Sequence, residues 1–390
     1  MRSLDGVRGA AAAVVLVYHC SLVAIPYLDD ATAAWLTQTP AKILFAGTEA
    51  VLVFFVLSGF VVALPVLRDG FSWLRYYPTR ILRLYLPVWA SVVLAAGLIA
   101  LVPRDPATMP DDSWMQNTQA ATVTWSSFFD EALLTTTSYD INNVLWSLRW
   151  ELIFSLGLPM FIGVAIVVRR HALIAAIGCC ALTVAGRLID AEPLVYLPVF
   201  LLGTLMAVRF DDLLAWVRRP RHPAFWPAFT AGALALLIAS RLARPVAAPG
   251  SLLGRTMWGL AGIGAVLAIV AALGWPWLRT ALEGRVPQWL GRTSYSLYLV
   301  HVPVIATLAY LWGSDRWPLV MTIGIPTSLV LAAVFHRVVE APSQRIARMA
   351  GGAVPRRARS RIWDERSLGE AVQAPLDPAG ETADATGTGV

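Results

Sequence analysis

MRSLDGVRGAAAAVVLVYHCSLVAIPY, residues 1–27, decides the fold class. From Val7 to Tyr27 it is almost wholly apolar, about the 20 residues that cross a hydrocarbon core about 30 Å thick. It has no small-residue cleavage pattern of the signal-peptide kind, and a cleaved leader has no use for Asp5, Arg8 and His19. The reading is a permanent span with ionisable groups in or beside it. Such groups are costly in lipid, so they mark either a functional site or a satisfied contact between helices.

Nine further runs have the same character, near 44–67, 82–102, 151–168, 172–189, 193–208, 224–240, 256–275, 293–312 and 317–338. They predict an all-α fold, a polytopic transmembrane helical bundle of about ten spans. Composition agrees: 57% of the 390 residues are hydrophobic and 14% charged, against about 25% charged in soluble chains. Mean hydropathy is +0.62. If the spans alternate from a cytoplasmic N-terminus, 23 of the 31 basic residues fall on the cytoplasmic side. Both termini are therefore expected in the cytoplasm of a multi-pass protein of the plasma (inner) membrane. Arg241, Arg244 and Arg255, in one loop on the expected outer side, run against the trend.

The net charge of +6 follows from this topology and from attraction to anionic membrane lipids, and implies no nucleic acid. Cys20, Cys179 and Cys180 all lie in spans, two of them adjacent, which predicts neither a disulfide framework nor a metal site. The membrane domain is read as 1–345. The polar segment 346–390 is read as a disordered cytoplasmic tail. An acidic loop at about 103–145 is longer than a connection needs and suits a lid or re-entrant segment.

Several residues can carry chemistry. Arg8 and His19 are eleven steps apart, which at 100° each returns to within ~20° of one helix face and climbs ~16 Å. The pair is either an anion-binding group below a general base, or an interfacial arginine and a packing histidine. Arg80 and Arg83 share a helix face and can each give two hydrogen bonds to phosphate oxygens, or they simply mark a basic helix end. Ser147 and Glu151 also share a face. Glu151 either orients His19 or pairs with a nearby cation or helix N-terminus. Ser294, Tyr298 and His301 form a polar stripe that either lines a substrate path or joins two helices. Glu49 is a further buried carboxylate, a partner for one of these cations. His171, His222 and His336 read as ordinary interfacial residues. No P-loop, GxSxG or HExxH motif occurs.

Six segments together resemble family-3 membrane acyltransferases, which O-acetylate bacterial surface polysaccharides and related glycosides. They are SLDGVRGAAAAVVLVYH (3–19), VFFVLSGFVVAL (53–64), RILRLYLP (80–87), LWSLRWELIFSLGLP (145–159), SYSLYLVHVP (294–303) and VVEAPSQ (338–344). The resemblance implies an acyl-CoA donor, acetyl-CoA foremost, and a carbohydrate or glycoside acceptor. It also implies that His19 and Glu151 are catalytic and that Arg8, Arg80 and Arg83 bind coenzyme A. Leu52 departs from the acidic residue many relatives have at that place. A lipid, peptide or antibiotic scaffold remains an alternative acceptor. A transporter of an acylated or acidic metabolite remains the alternative function.

Overall fold

A computed structural model describes residues 1–248 and 250–353, and every regular element among them is helical. The helices that matter here are α1 (Arg2–Ala24), α2 (Gly47–Ala63), α3 (Trp73–Leu101), α4 (Leu145–Leu156), α5 (Leu158–Val168) and α6 (Ala172–Leu188). They continue with α7 (Glu192–Val208), α8 (Phe225–Leu237), α9 (Ala261–Gly274), α10 (Arg285–Trp312), α11 (Trp317–Phe335) and α12 (Ala341–Ala353).

Six helical runs are long and apolar enough to cross a membrane: 2–27, 73–101, 158–188, 252–274, 285–312 and 314–352. A seventh is made if α7 and the helix Phe210–Val217, bent by 74° at their junction, count as one. Length alone thus gives fewer than the ten expected. Two of the expected spans, α2 and α8, are short apolar helices, and α5 and α6, which follow one another through the 3-10 turn Arg169–His171, count as one run by length. Outward-facing side chains such as Val167, Leu173 and Ile174 are 67–80% exposed, the apolar belt that lipid covers.

Helix starts differ from the hydropathy reading in a consistent way. α3 begins at Trp73 rather than near 82, and α10 at Arg285 rather than near 293, so each extends as a polar helical end. The expected tail begins inside α12; its remainder lies outside the described residues.

α1 and α10 run side by side in the same direction. Gly9 lies against Gly291, His19 against His301, and the Tyr27 hydroxyl 2.5 Å from that of Ser314. The contact depends on absent side chains: a Cβ on Gly291 would collide with the Asp5 carbonyl, and one on Gly9 with the Pro287 carbonyl. Small residues at such crossings let backbones approach closely where lipid offers no hydrophobic drive. Gly291→Val is therefore expected to cost about 1–3 kcal/mol in overpacking and to lower the unfolding temperature in detergent. Gly163→Val, where a Cβ meets nothing within 4 Å, should leave it unchanged.

Candidate active site

The parallel packing of α1 on α10 brings two imidazoles together in the bundle. His19 and His301 are 8% and 1% exposed. His19 Nδ1 lies 3.0 Å from His301 Nε2 and 2.9 Å from the Val15 carbonyl oxygen. His301 Nδ1 lies 2.9 Å from the Leu297 carbonyl oxygen. The Trp114 ring, from the 103–144 segment, tilts onto His19 with centroids 5.2 Å apart.

One turn back along α10, the Tyr298 hydroxyl is 2.7 Å from Ser147 Oγ. Ser294 donates only to the Gly291 carbonyl of its own helix. The polar stripe thus reaches neighbouring helices through Tyr298 and His301 but not through Ser294.

Glu151 is not the partner of His19. It accepts Arg80 Nη2 at 2.6 Å and Ser58 Oγ at 3.2 Å, while Arg80 Nε donates to Ser155 Oγ at 3.0 Å. The reason is axial. Ser147 meets Tyr298, Glu151 lies one turn towards the Arg80 end of the bundle, and His301 lies three residues the other way. At 1.5 Å per residue this sets Glu151 about 10 Å from the imidazole pair. A shared helix face fixed direction but left open which neighbour that face meets.

Arg83 has Arg8, Arg80, Glu151 and Glu340 all within electrostatic range near this end. Arg80 is paired, whereas Arg8 and Arg83 make neither a hydrogen bond nor an ion pair among the described residues. Glu340, which the residue-by-residue reading missed, is 5% exposed. It accepts Ser296 Oγ at 2.6 Å, His336 Nδ1 at 2.9 Å and Gln344 Nε2 at 3.0 Å, so His336 is more than an interfacial residue. It closes the π-helical turn His336–Glu340, an irregularity frequent at functional sites. The available signal was its place in VVEAPSQ, a lone carboxylate after an apolar run.

Glu49 has no exposure and accepts Arg241 Nε at 3.3 Å and Thr48 Oγ1 at 2.8 Å, so its partner is neither Arg80 nor Arg83. This pair helps explain the arginines of the 241–255 loop. Arg241 is tied to α2, and Arg255 donates to the main-chain carbonyls of Arg187 and Gly250. Among the described residues no group of three His, Cys, Asp or Glu is placed to hold a metal ion.

Asn142 is a second residue the sequence reading passed over. Pro303 has no N–H, so the Leu299 carbonyl of α10 loses its helical donor. Asn142 Nδ2 supplies one at 3.0 Å. Asn142 is itself held by Glu131, which accepts the backbone N–H groups of Asp140, Ile141 and Asn142 at 2.7, 2.7 and 2.9 Å. The 103–144 segment is thereby locked onto α10 beside His301.

A bundle that is apolar outside and keeps histidines and arginines inside has the build of an integral membrane enzyme. The model of the Acyltransferase domain family (Acyl_transf_3) matches residues 1–337, and the chain belongs to that family. It is 26% identical over 379 residues to the acyltransferase MdmB of Streptomyces mycarofaciens, covering 88% of this chain and 92% of that protein. No solved structure matches it significantly. The chain is an acyltransferase enzyme, as the six segments implied, and the transporter alternative is set aside.

The Asn142 clamp makes its own prediction. Asn142→Ala removes a buried hydrogen bond and should cost about 1–3 kcal/mol, read as a lower unfolding temperature in detergent. In a Pro303→Ala background, where residue 303 supplies its own N–H to Leu299, the same substitution should cost measurably less.

Proposed function

We propose that this protein is an integral membrane O-acyltransferase that takes an acyl group, acetyl foremost, from acyl-CoA to a hydroxyl of a carbohydrate or glycoside. The observation that carries the reading is α1 itself. It holds the unpaired Arg8 beside Arg83 and Arg80 at one end, and His19 against His301 some eleven residues on.

Arg8 and Arg83 are free to bind coenzyme A phosphates, for which paired guanidinium donors are well suited. Glu151 holds Arg80 in place and thereby fixes the cluster. The climb of ~16 Å along α1 from Arg8 to His19 is of the order of the extended arm that joins those phosphates to the thioester. His19 removes the proton of the acceptor hydroxyl, and the oxygen attacks the thioester carbonyl. The tetrahedral intermediate then expels the thiolate, which takes the proton back from His19 and leaves as coenzyme A. Imidazole suits a base that must both take and return a proton near neutral pH. Tyr298, Ser147 and Trp114 surround this route.

In this reading residues 1–345 are the acting unit, crossing the plasma membrane ten times with both termini in the cytoplasm and the arginine cluster on that side. Helix directions support the count. Trp146 and Phe154 pack on Tyr196 and Phe200, so α4–α5 runs with α7. Gly186 packs on Leu194, and Thr183 bonds the Val195 carbonyl, so α6 runs against α7. The turn Arg169–His171 is then a reversal between two crossings.

Thiol release from acetyl-CoA by the purified protein with glycoside acceptors tests the proposal. His19→Ala is expected to lose about 10²–10⁴-fold in kcat, the usual worth of a general base. Arg8→Ala and Arg83→Ala should each raise the donor KM about tenfold or more, since a hydrogen bond to a charged group is worth roughly 1.5–3 kcal/mol. Acceptor-dependent release that is equal in His19→Ala and wild type would contradict the assignment.

A further inference from the structure

The hydrogen bonds around the two imidazoles admit one neutral arrangement of protons. His301 Nδ1 lies 2.9 Å from the Leu297 carbonyl oxygen, an atom that only accepts, so this nitrogen carries the hydrogen. A neutral ring then has a lone pair on Nε2. That Nε2 faces His19 Nδ1 at 3.0 Å, so His19 Nδ1 must be the donor. The Val15 carbonyl oxygen, 2.9 Å from the same nitrogen, requires the same. His19 Nε2 is left bare. Any other neutral arrangement sets two lone pairs against each other at buried sites, and buried polar groups left in that state are costly.

No carboxylate hydrogen-bonds either ring among the described residues. The titratable neighbours are Tyr298, with ring centroids 5.9 Å from His301, and Tyr18, 5.2 Å from His19. The Trp114 ring, which carries no titratable group, lies 5.2 Å from that of His19. Nothing else in contact with the pair can receive the His19 Nδ1 proton except the main chain.

We propose that His301 is the positioning residue of the acyl transfer: it accepts the His19 Nδ1 proton, which presents His19 Nε2 as the free base, and it shares that proton while His19 is an imidazolium. This rests on the reaction proposed above and fills the place the sequence offered to Glu151. The proton balance is closed. The acceptor O–H breaks as His19 Nε2–H forms, the Nδ1 hydrogen moves towards His301 Nε2, and the thiolate sulfur later takes the Nε2 proton. Both rings end neutral.

A neutral orienting group has a physical advantage in this setting. A carboxylate at the same place would be a buried anion whose desolvation exceeds much of what it gains from the imidazolium. A second imidazole orients the first without any charge in the resting bundle. It becomes part of a cation only while the reaction proceeds.

The experiment is nitrogen NMR of the full chain in lipid, with ring-¹⁵N-labelled histidine, at pH 7.5. Bare and protonated ring nitrogens have well-separated shifts, and the pair is identified by the signals lost in His19→Gln and in His301→Gln. The inference expects both rings protonated at Nδ1 and bare at Nε2. A hydrogen on Nε2 of either ring in the resting protein overturns it, whether or not an acceptor is known.

The second arm is kinetic. His301→Leu has no acceptor, whereas the amide oxygen of His301→Gln stands where Nε2 stood. The leucine variant is expected to lose about 100-fold in kcat, within the range for a disabled general base, with the donor KM unchanged. The glutamine variant should recover at least about a tenth of wild-type kcat. Equal kcat in the two variants, at equal unfolding temperature, would overturn the positioning role. Full activity in His19→Ala would overturn the reaction itself while leaving the NMR result standing, so the two failures are distinguishable.

Discussion

The close approach of α1 and α10 is the constraint on which the rest depends. Gly9 and Gly291 remove the side chains that would separate the two backbones. In lipid, where apolar burial gives helices little reason to associate, that approach supplies the packing. Because the helices run in the same direction, one contact sets the register of every later pair. Fixing Gly9 at Gly291 places His19 at His301 and leaves Arg8 at the Arg83 end. A shift of one turn would set each imidazole against an aliphatic side chain and strand two buried ring nitrogens.

The polar groups inside the bundle then sort themselves by whether they have a partner. Glu49 has Arg241, Arg80 has Glu151, and Glu340 has Ser296, His336 and Gln344. These contacts join helices distant in sequence and satisfy groups that would otherwise be orphaned in hydrocarbon. Arg8 and Arg83 stand apart because, among the described residues, neither makes a hydrogen bond or an ion pair. A guanidinium kept near the end of a bundle with no contacting partner has its donors ready for an anion that arrives from outside. His19 is the complementary case, its Nδ1 engaged and its other nitrogen in no hydrogen bond among the described residues.

Much of this was legible in the sequence, and the misses have physical causes. Apolar runs of span length gave the all-helical membrane fold, but hydropathy does not see polar helix ends, so α3 and α10 begin earlier than expected. The 100° step placed Arg8 and His19 on one face of a helix, and the structure has both in one continuous α-helix. The partner of His19 was misread, because Glu151 and His301 both fit the chemistry and only the axial register of α4 against α10 separates them. Asn142 was readable only jointly with Pro303: a missing N–H in one segment predicts a donor in another, but not where that donor lies. Glu340 escaped notice, and His336 was read as an ordinary interfacial residue, because their pairing depends on a π-helical turn that spacing rules for an α-helix do not anticipate.

The central claim is that the free guanidiniums and the imidazole pair are two ends of one site. A cryo-EM map of the protein in lipid nanodiscs with bound coenzyme A tests it most directly. The account predicts phosphate density against Arg8 and Arg83 and the thiol end of the arm directed towards His19. Coenzyme A bound with its phosphates away from these arginines, or with its thiol remote from His19, would contradict it.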